Sequence, residues 1–192
     1  HRASDFNQRE GDMLPRLFYD AGGRSTQDGA VMILHGRGIG GSTVHNTNLC
    51  KRAPDEVLRS WAESFDCPSW TPQKLAADYE AVEAELSVSQ LTEEDVNRNN
   101  AIMRRGVEKL GWRGGLLQHN RRGCQRSGFC ELGCSYNAKE NAAKVVIPNA
   151  LRFGAQVVCD LRAAKILHDG KRVRGVLAYV VRSDGSDGAD LT

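Results

Sequence analysis

Apolar positions change their spacing several times along the chain, and each change predicts a different element. Phe6, Met13, Leu14, Leu17, Phe18 and Tyr19 are spaced for a short helix over about residues 9 to 19, ending at Gly22-Gly23. Gln27-Asp28-Gly29 then turns into a continuous apolar run, Val31-Met32-Ile33-Leu34, which is short, bounded by glycines and reads as a buried strand. Three helical patterns follow. Pro54 suits a first helical position, with Asp55 and Glu56 at the positive end of the dipole and Val57, Leu58, Trp61 and Phe65 on one face. Thr71-Pro72 repeats the start signal before a stripe of Leu75, Tyr79, Val82 and Leu86. Thr92 and Asp95 are spaced as a capping box, with Val96, Met103, Val107 and Leu110 facing inward before Gly111 stops the helix.

The periodicity then lapses. Residues 114 to 134 are poor in apolar side chains and read as an irregular loop, and a helical stretch runs from about Ala138 to Gly154, kinked by Pro148. Gln156-Val157-Val158-Cys159 reads as a strand. Ala163 to His168 and Val173 to Val181 flank Asp169-Gly170 as a hairpin, and Ser183 to Gly188 is a turn or a loose end. There are no internal repeats.

Between the predicted strand and the first long helix lies the densest chemistry. Gly36-Arg37-Gly38-Ile39-Gly40-Gly41 places four glycines in six residues, followed by Ser42-Thr43-Val44-His45-Asn46-Thr47-Asn48. Glycine lets consecutive N–H groups converge on an anion. Gly36-x-Gly38-x-x-Gly41 matches a dinucleotide fingerprint, with Glu56 standing where a ribose-binding acid would be. That fingerprint needs a helix to open inside the glycines, however, and the β-branched and amide residues here disfavour one. The stretch therefore reads as a phosphate-contacting loop, against the plainer alternative of a glycine turn without a ligand. His45 has two readings: a histidine hydrogen-bonded within the loop, or a proton carrier or nucleophile beside a cofactor.

With 192 residues, 40% hydrophobic and 26% charged, the chain has an ordinary globular composition, and one domain is expected. A net charge of +2, scattered along the sequence, offers no nucleic-acid stripe and no membrane-surface patch. No apolar run is long enough to span a bilayer and no signal peptide opens the sequence; the missing signal says little about location, which is left open with the cytoplasm favoured. Both ends look cut, which leads to the expectation of a piece of a longer polypeptide. Of six cysteines, Cys124, Cys130 and Cys134 cluster among Arg121, Arg122, Arg126 and Lys139, and reduced thiols are expected. Three soft thiolates beside cations can hold an iron–sulfur cluster. A buried structural loop is the alternative, and it is preferred here. The absence of Gly-Lys-Ser/Thr and of Gly-x-Ser-x-Gly excludes a P-loop triphosphatase and an elbow-type hydrolase.

Taken in order, these strings resemble one family, the glucose–methanol–choline oxidoreductases, which use FAD to oxidise alcohols. Gly36 to Asn46 is similar to the family's second FAD-binding motif, with Arg52-x-Pro54 and Trp61 following at matching spacing. Gly123-Cys124, Cys130, Gly133-Cys134 and Ala138-Lys139 resemble a cysteine-rich loop of the branch related to long-chain alcohol oxidases. Pro148-Asn149-Ala150, Gly154-Ala155 and Asp169-Gly170-Lys171-Arg172-Val173-x-Gly175-Val176 look like the run into its adenine-side hairpin.

The resemblance, which covers about residues 5 to 181, implies an α/β fold, α+β within this stretch. This would be an incomplete Rossmann-like FAD-binding domain over residues 1 to 192. Its parts would be an FAD-contact loop at 30 to 49, a helical excursion at 54 to 111, a Cys-rich loop at 114 to 137, and a strand and hairpin at 155 to 181. It implies that Gly38, Gly40, Gly41 and Ser42 contact the FAD pyrophosphate and ribityl chain, that Asn46 and Thr47 lie near the flavin ring, and that Ala163 faces the adenine. In some relatives a histidine at the position of His45 is covalently joined to the flavin. A small-molecule alcohol is the implied substrate; its identity and the electron acceptor are not written in these residues. The family's opening βαβ unit does not precede His1, and none of the five histidines sits in the context of its catalytic one. The stretch alone is therefore expected to be inactive, with no catalytic residue of its own.

Overall fold

The computed structural model describes residues 2 to 182 and 187 to 191. They combine helices with two antiparallel three-stranded sheets, a mixed α/β fold as expected. The chain divides into two compact units, His1–Asn149 and Ala150–Thr192.

The first unit starts with α1, Glu10–Leu17, close to the predicted helix, followed by a 3-10 turn at Tyr19–Gly22. Met13 and Leu17 of α1 are buried together with Phe6, Phe18, Val44 of the glycine loop and Leu132 of the cysteine loop. This is the core, and it lies directly under the glycine loop. The predicted strand at Val31 to Leu34 does not form. Backbone bonds there are confined to isolated bridges, Ser25 with Met32 and Phe18 with Gly36, and all four apolar side chains are exposed. The run has β-propensity, but no neighbouring strand or covering layer among the described residues completes it.

β1, Leu49–Cys50, leaves the loop and pairs with β3, Gln118–Asn120, which also pairs with β2, Val88–Gln90. β3 lies inside the stretch read as irregular loop. Its residues, Gln-His-Asn, carry no hydrophobic alternation, so only partner strands reveal it.

Between β1 and β3 stand α2 (Asp55–Ser64), α3 (Pro72–Glu85) and α4 (Arg98–Lys109). Pro54 is the N-cap of α2 rather than its first residue. Thr71 Oγ1 accepts from the Lys74 N–H at 3.3 Å as its sequence position predicts. The Thr92–Asp95 capping box forms, yet it closes a 3-10 turn, Glu93–Asp95, and Asn97 caps α4 by accepting from the Asn100 N–H. Of the stripes expected to face inward, Leu58 is buried, whereas Trp61, Phe65, Val82, Met103 and Leu110 are exposed. Helical spacing selects a face but does not supply what covers it.

After the cysteine loop the chain runs extended through Ala138 to Glu140, bridging Arg121 with Lys139, and turns at 142 to 145. Helix is restricted to α5, Val146–Arg152, not the predicted stretch from Ala138, and Pro148 lies in its first turn, where a missing N–H costs nothing.

The second unit is a meander of β4 (Leu161–His168), β5 (Val173–Val181) and β6 (Asp187–Leu191). The predicted hairpin forms, with His168 opposite Val173; Asp169 Oδ1 accepts from the Lys171 and Arg172 N–H groups to close its turn. Gln156 to Cys159 is not a strand. Of the expected terminal turn, Ser183 to Ser186 lies outside the described residues, and Asp187 and Gly188 belong to β6.

Candidate functional site

The glycine loop is a tight arch. Gly38, Gly40 and Gly41 have φ of 102°, 86° and 51°, a left-handed backbone that side chains other than glycine rarely tolerate. No α-helix opens in it; a single 3-10 turn spans Gly41–Thr43. The Gly36 N–H donates to Ser42 Oγ at 2.9 Å, closing the base of the arch. Thr43 Oγ1 donates to the Gly40 carbonyl at 2.6 Å and accepts from the Ala142 N–H at 3.1 Å, fastening the arch to the segment after the cysteine loop. A Cβ on Gly40 would lie 2.7 Å from Val44 and 2.9 Å from Ala143, while one on Gly41 would meet nothing within 4 Å. One glycine is required by packing and the next faces open space.

Along the crest, the N–H groups of Gly38, Ile39, Gly40 and Ser42 make no hydrogen bond among the described residues. A row of unspent donors on a left-handed glycine backbone is the arrangement that receives anionic oxygens. The residues present thus fit a phosphate-bearing cofactor. Asn46 and Thr47, at the exit, are exposed, and Asn46 Nδ2 donates back to the Ser42 carbonyl at 3.1 Å. Seven of the expected contact residues, Gly38, Gly40, Gly41, Ser42, His45, Asn46 and Thr47, lie on this one arch. Ala163 is in β4 of the other unit, opposite Ala178.

His45 points the other way. It is 4% exposed, its ring lies edge-on to Phe18 at 5.1 Å between centroids, and it fills the space a Gly36 side chain would need. Neither ring nitrogen meets hydrogen-bond geometry with a partner among the described residues, although the Arg37 and Leu17 backbone beside the ring partly favours its protonated form. Burial, reinforced by the Lys139 ammonium, lowers its pKa from 6.5 to about 4, and the ring is neutral. An orphaned imidazole nitrogen suits a bond to a cofactor carbon, but here both nitrogens are sealed in the core.

Sequence reading gave Lys139 no role beyond a place in the cysteine loop. Its side chain is 2% exposed, and Nζ donates to the Asn46 carbonyl at 2.9 Å and the Cys130 carbonyl at 2.8 Å. Burial lowers its pKa to about 8, opposed by Cys130, Cys134 and Glu131. Asn120 sets its register: the Glu140 N–H donates to the Asn120 carbonyl at 2.9 Å, Asn120 Nδ2 donates to the Glu140 carbonyl, and the Arg122 N–H donates to the Ala138 carbonyl. No local sequence signal announces these partners, because they come from residues 46 to 140.

Cys124, Cys130 and Cys134 line one small cavity of about 20 Å³ with Arg121 and Lys139, and all six cysteines are free. The Arg126 N–H donates to Cys124 Sγ at 3.3 Å and the Ala138 N–H to Cys134 Sγ at 3.2 Å, and burial raises the Cys130 pKa. Among the described residues no group of three His, Cys, Asp or Glu side chains is arranged to hold a metal ion. A larger cavity of about 280 Å³ is lined by Phe6, Val44, Asn137, Lys139, Asn141 and Lys144, among others, and by none of the seven arch residues expected to touch the cofactor.

The family model described as GMC oxidoreductase matches residues 14 to 187. The chain belongs to the GMC oxidoreductase family. Its architecture is accordingly that of the family's Rossmann-like FAD-binding region, and the family is one of FAD-linked oxidoreductases. An uncharacterised GMC-type oxidoreductase of Mycobacterium tuberculosis is 32% identical over 157 residues, covering 82% of this chain and 25% of that protein. Another from Sinorhizobium fredii is 29% identical over 155 residues, covering 81% and 30%. The long-chain-alcohol oxidase FAO3 of Arabidopsis thaliana is 26% identical over 164 residues, covering 85% and 22%. The chain thus spans about a quarter of the length of the curated relatives it matches. No solved structure matches it. Among the described residues no helix is long and apolar enough to cross a membrane.

Proposed function

We propose that this chain forms the second FAD-contact region of an oxidoreductase acting on the CH–OH group of a small-molecule alcohol. The observation that carries this reading is the set of unpaired N–H groups of Gly38, Ile39, Gly40 and Ser42 on the arch, lying within the stretch that matches the family. When bound, FAD supplies the acceptor for the hydride leaving the alcohol carbon. The chain's own part is binding and orientation. Gly38, Gly40 and Ser42 offer free backbone donors to the pyrophosphate and ribityl oxygens, Gly41, whose own N–H donates to the Gly38 carbonyl at 2.9 Å, lets the cofactor approach the backbone closely, and Asn46 and Thr47 face the ring. None of its residues is assigned as the base for the hydroxyl proton. The relatives named as long-chain-alcohol oxidases support an alcohol substrate.

FAD is read as held without a covalent bond, because both His45 nitrogens are sealed behind Phe18 and Gly36. The full-length protein should show flavin absorbance, and a colourless preparation with no affinity for added FAD would overturn the reading. Acid precipitation should leave a colourless pellet; a yellow one would overturn the non-covalent reading.

A further inference from the structure

Under the exit of the arch lies a charge that phosphate binding does not use. The Lys139 ammonium touches the Asn46 carbonyl, the Cys130 carbonyl and, at 3.4 Å, Asn46 Oδ1. All three acceptors are neutral, and Lys139 forms no ion pair among the described residues. Nearby acids are used elsewhere or stay outside: Glu140 pairs with Lys144 at 2.9 Å, and Glu131 is exposed. A merely structural clamp between two carbonyls needs only N–H donors, which an amide provides without the desolvation cost of an ion. The buried cation instead creates a positive field at the residue that stands at the end of the arch.

We propose that Lys139 is a positioning residue that clamps Asn46 and provides the fixed positive charge favouring the reduced over the oxidised form of the flavin on this loop. This rests on the reading that the loop holds FAD. Hydride uptake brings one proton and two electrons, so the ring gains one negative charge, and a cation held in a low-dielectric core stabilises that state. Arg121 and Lys144 line the two cavities that Lys139 borders, but each is neutralised, by Asp95 at 2.6 Å and Glu140 at 2.9 Å. Lys139 has no such carboxylate.

The test is a redox titration of the flavin-loaded full-length protein against Lys139→Gln, which retains donors without charge, and Lys139→Arg, which retains charge. Lys139→Gln should lower the preference for reduced over oxidised flavin about tenfold, a fall of about 30 mV for a two-electron couple, and Lys139→Arg should keep most of the wild-type value. A flavin-loaded Lys139→Gln protein with the wild-type potential overturns the proposal and leaves Lys139 a structural clamp. If Lys139→Gln does not load flavin, Lys139→Arg decides: loading with a near-wild-type potential supports the charge role, and failure to load overturns it. Amide exchange at Asn46 to Asn48 provides the second readout, which should quicken in Lys139→Gln; unchanged exchange refutes the clamp. Wild-type protein that takes up no flavin refutes the FAD reading itself, which separates that failure from the others.

Discussion

The glycine arch and the helical segment of α2 to α4 belong to the same compact unit but are built in opposite ways. The arch is short, lacks regular structure, and is fixed from beneath by residues far away in sequence: Phe18, Leu132, Lys139, Ala142 and Ala143. The helices are locally well specified, with working caps at Thr71 and Asn97, yet Leu58 is the only fully buried hydrophobic residue they contribute among the described residues. Precision at the candidate site thus comes from long-range packing, while strong local signals build a segment whose apolar side chains remain largely exposed.

Glycine substitutions break this contrast most sharply. Gly40→Ala should destabilise the protein by about 3 kcal/mol, combining left-handed strain with overpacking against Val44 and Ala143. Gly41→Ala, one residue on and facing open space, should cost only about 1 kcal/mol. Equal losses in urea unfolding would show that the arch is not fixed by its underside. A comparable effect is expected from pH. Because the pKa of His45 falls from 6.5 unfolded to about 4 folded, only the unfolded chain takes up this proton between those values. The stability held above pH 6.5 should be lost as pH falls toward about 4, by up to about 3 kcal/mol. His45→Leu should remove this slope, and a slope unchanged in that variant would assign it to other groups.

In the helical segment, Leu58→Ala should cost about 3 kcal/mol, whereas Met103→Ala, 70% exposed, should stay within about 0.5 kcal/mol. Similar values for the two would contradict the uneven burial. Smallest of all, Gly106→Ala in α4, where a Cβ meets nothing within 4 Å, should stabilise by about 0.5–1 kcal/mol. A loss there would mean that the face around Gly106 is closely packed.

Much of the frame was legible in the sequence because its causes are local. Thr71-Pro72 starts α3, Gly111 adopts φ of 66° where α4 stops, and Asp169-Gly170 turns the hairpin between β4 and β5. The glycine arch was legible as a loop for the same reason: β-branched and amide residues after Gly41 leave no helix to nucleate. Family membership rested on the order of these strings, which a sequence carries in full.

Where burial decided, the sequence misled. Val31 to Leu34 and Gln156 to Cys159 have strand composition without strand partners, and β3 has partners without strand composition. Trp61 and Phe65 follow a helical stripe yet remain exposed, Trp61 meeting Trp70 edge-on at 6.0 Å between centroids. A side chain's environment is a sum over contacts from distant positions, which periodicity within one segment cannot encode. So the sequence by itself determined the glycine arch, the caps and the hairpin turn. Only the tertiary structure decided that His45 is neutral and turned into the core and that Lys139, 93 residues from Asn46, carries its charge to the arch. Both outcomes depend on which groups are removed from water together, and that is a property of the packed chain.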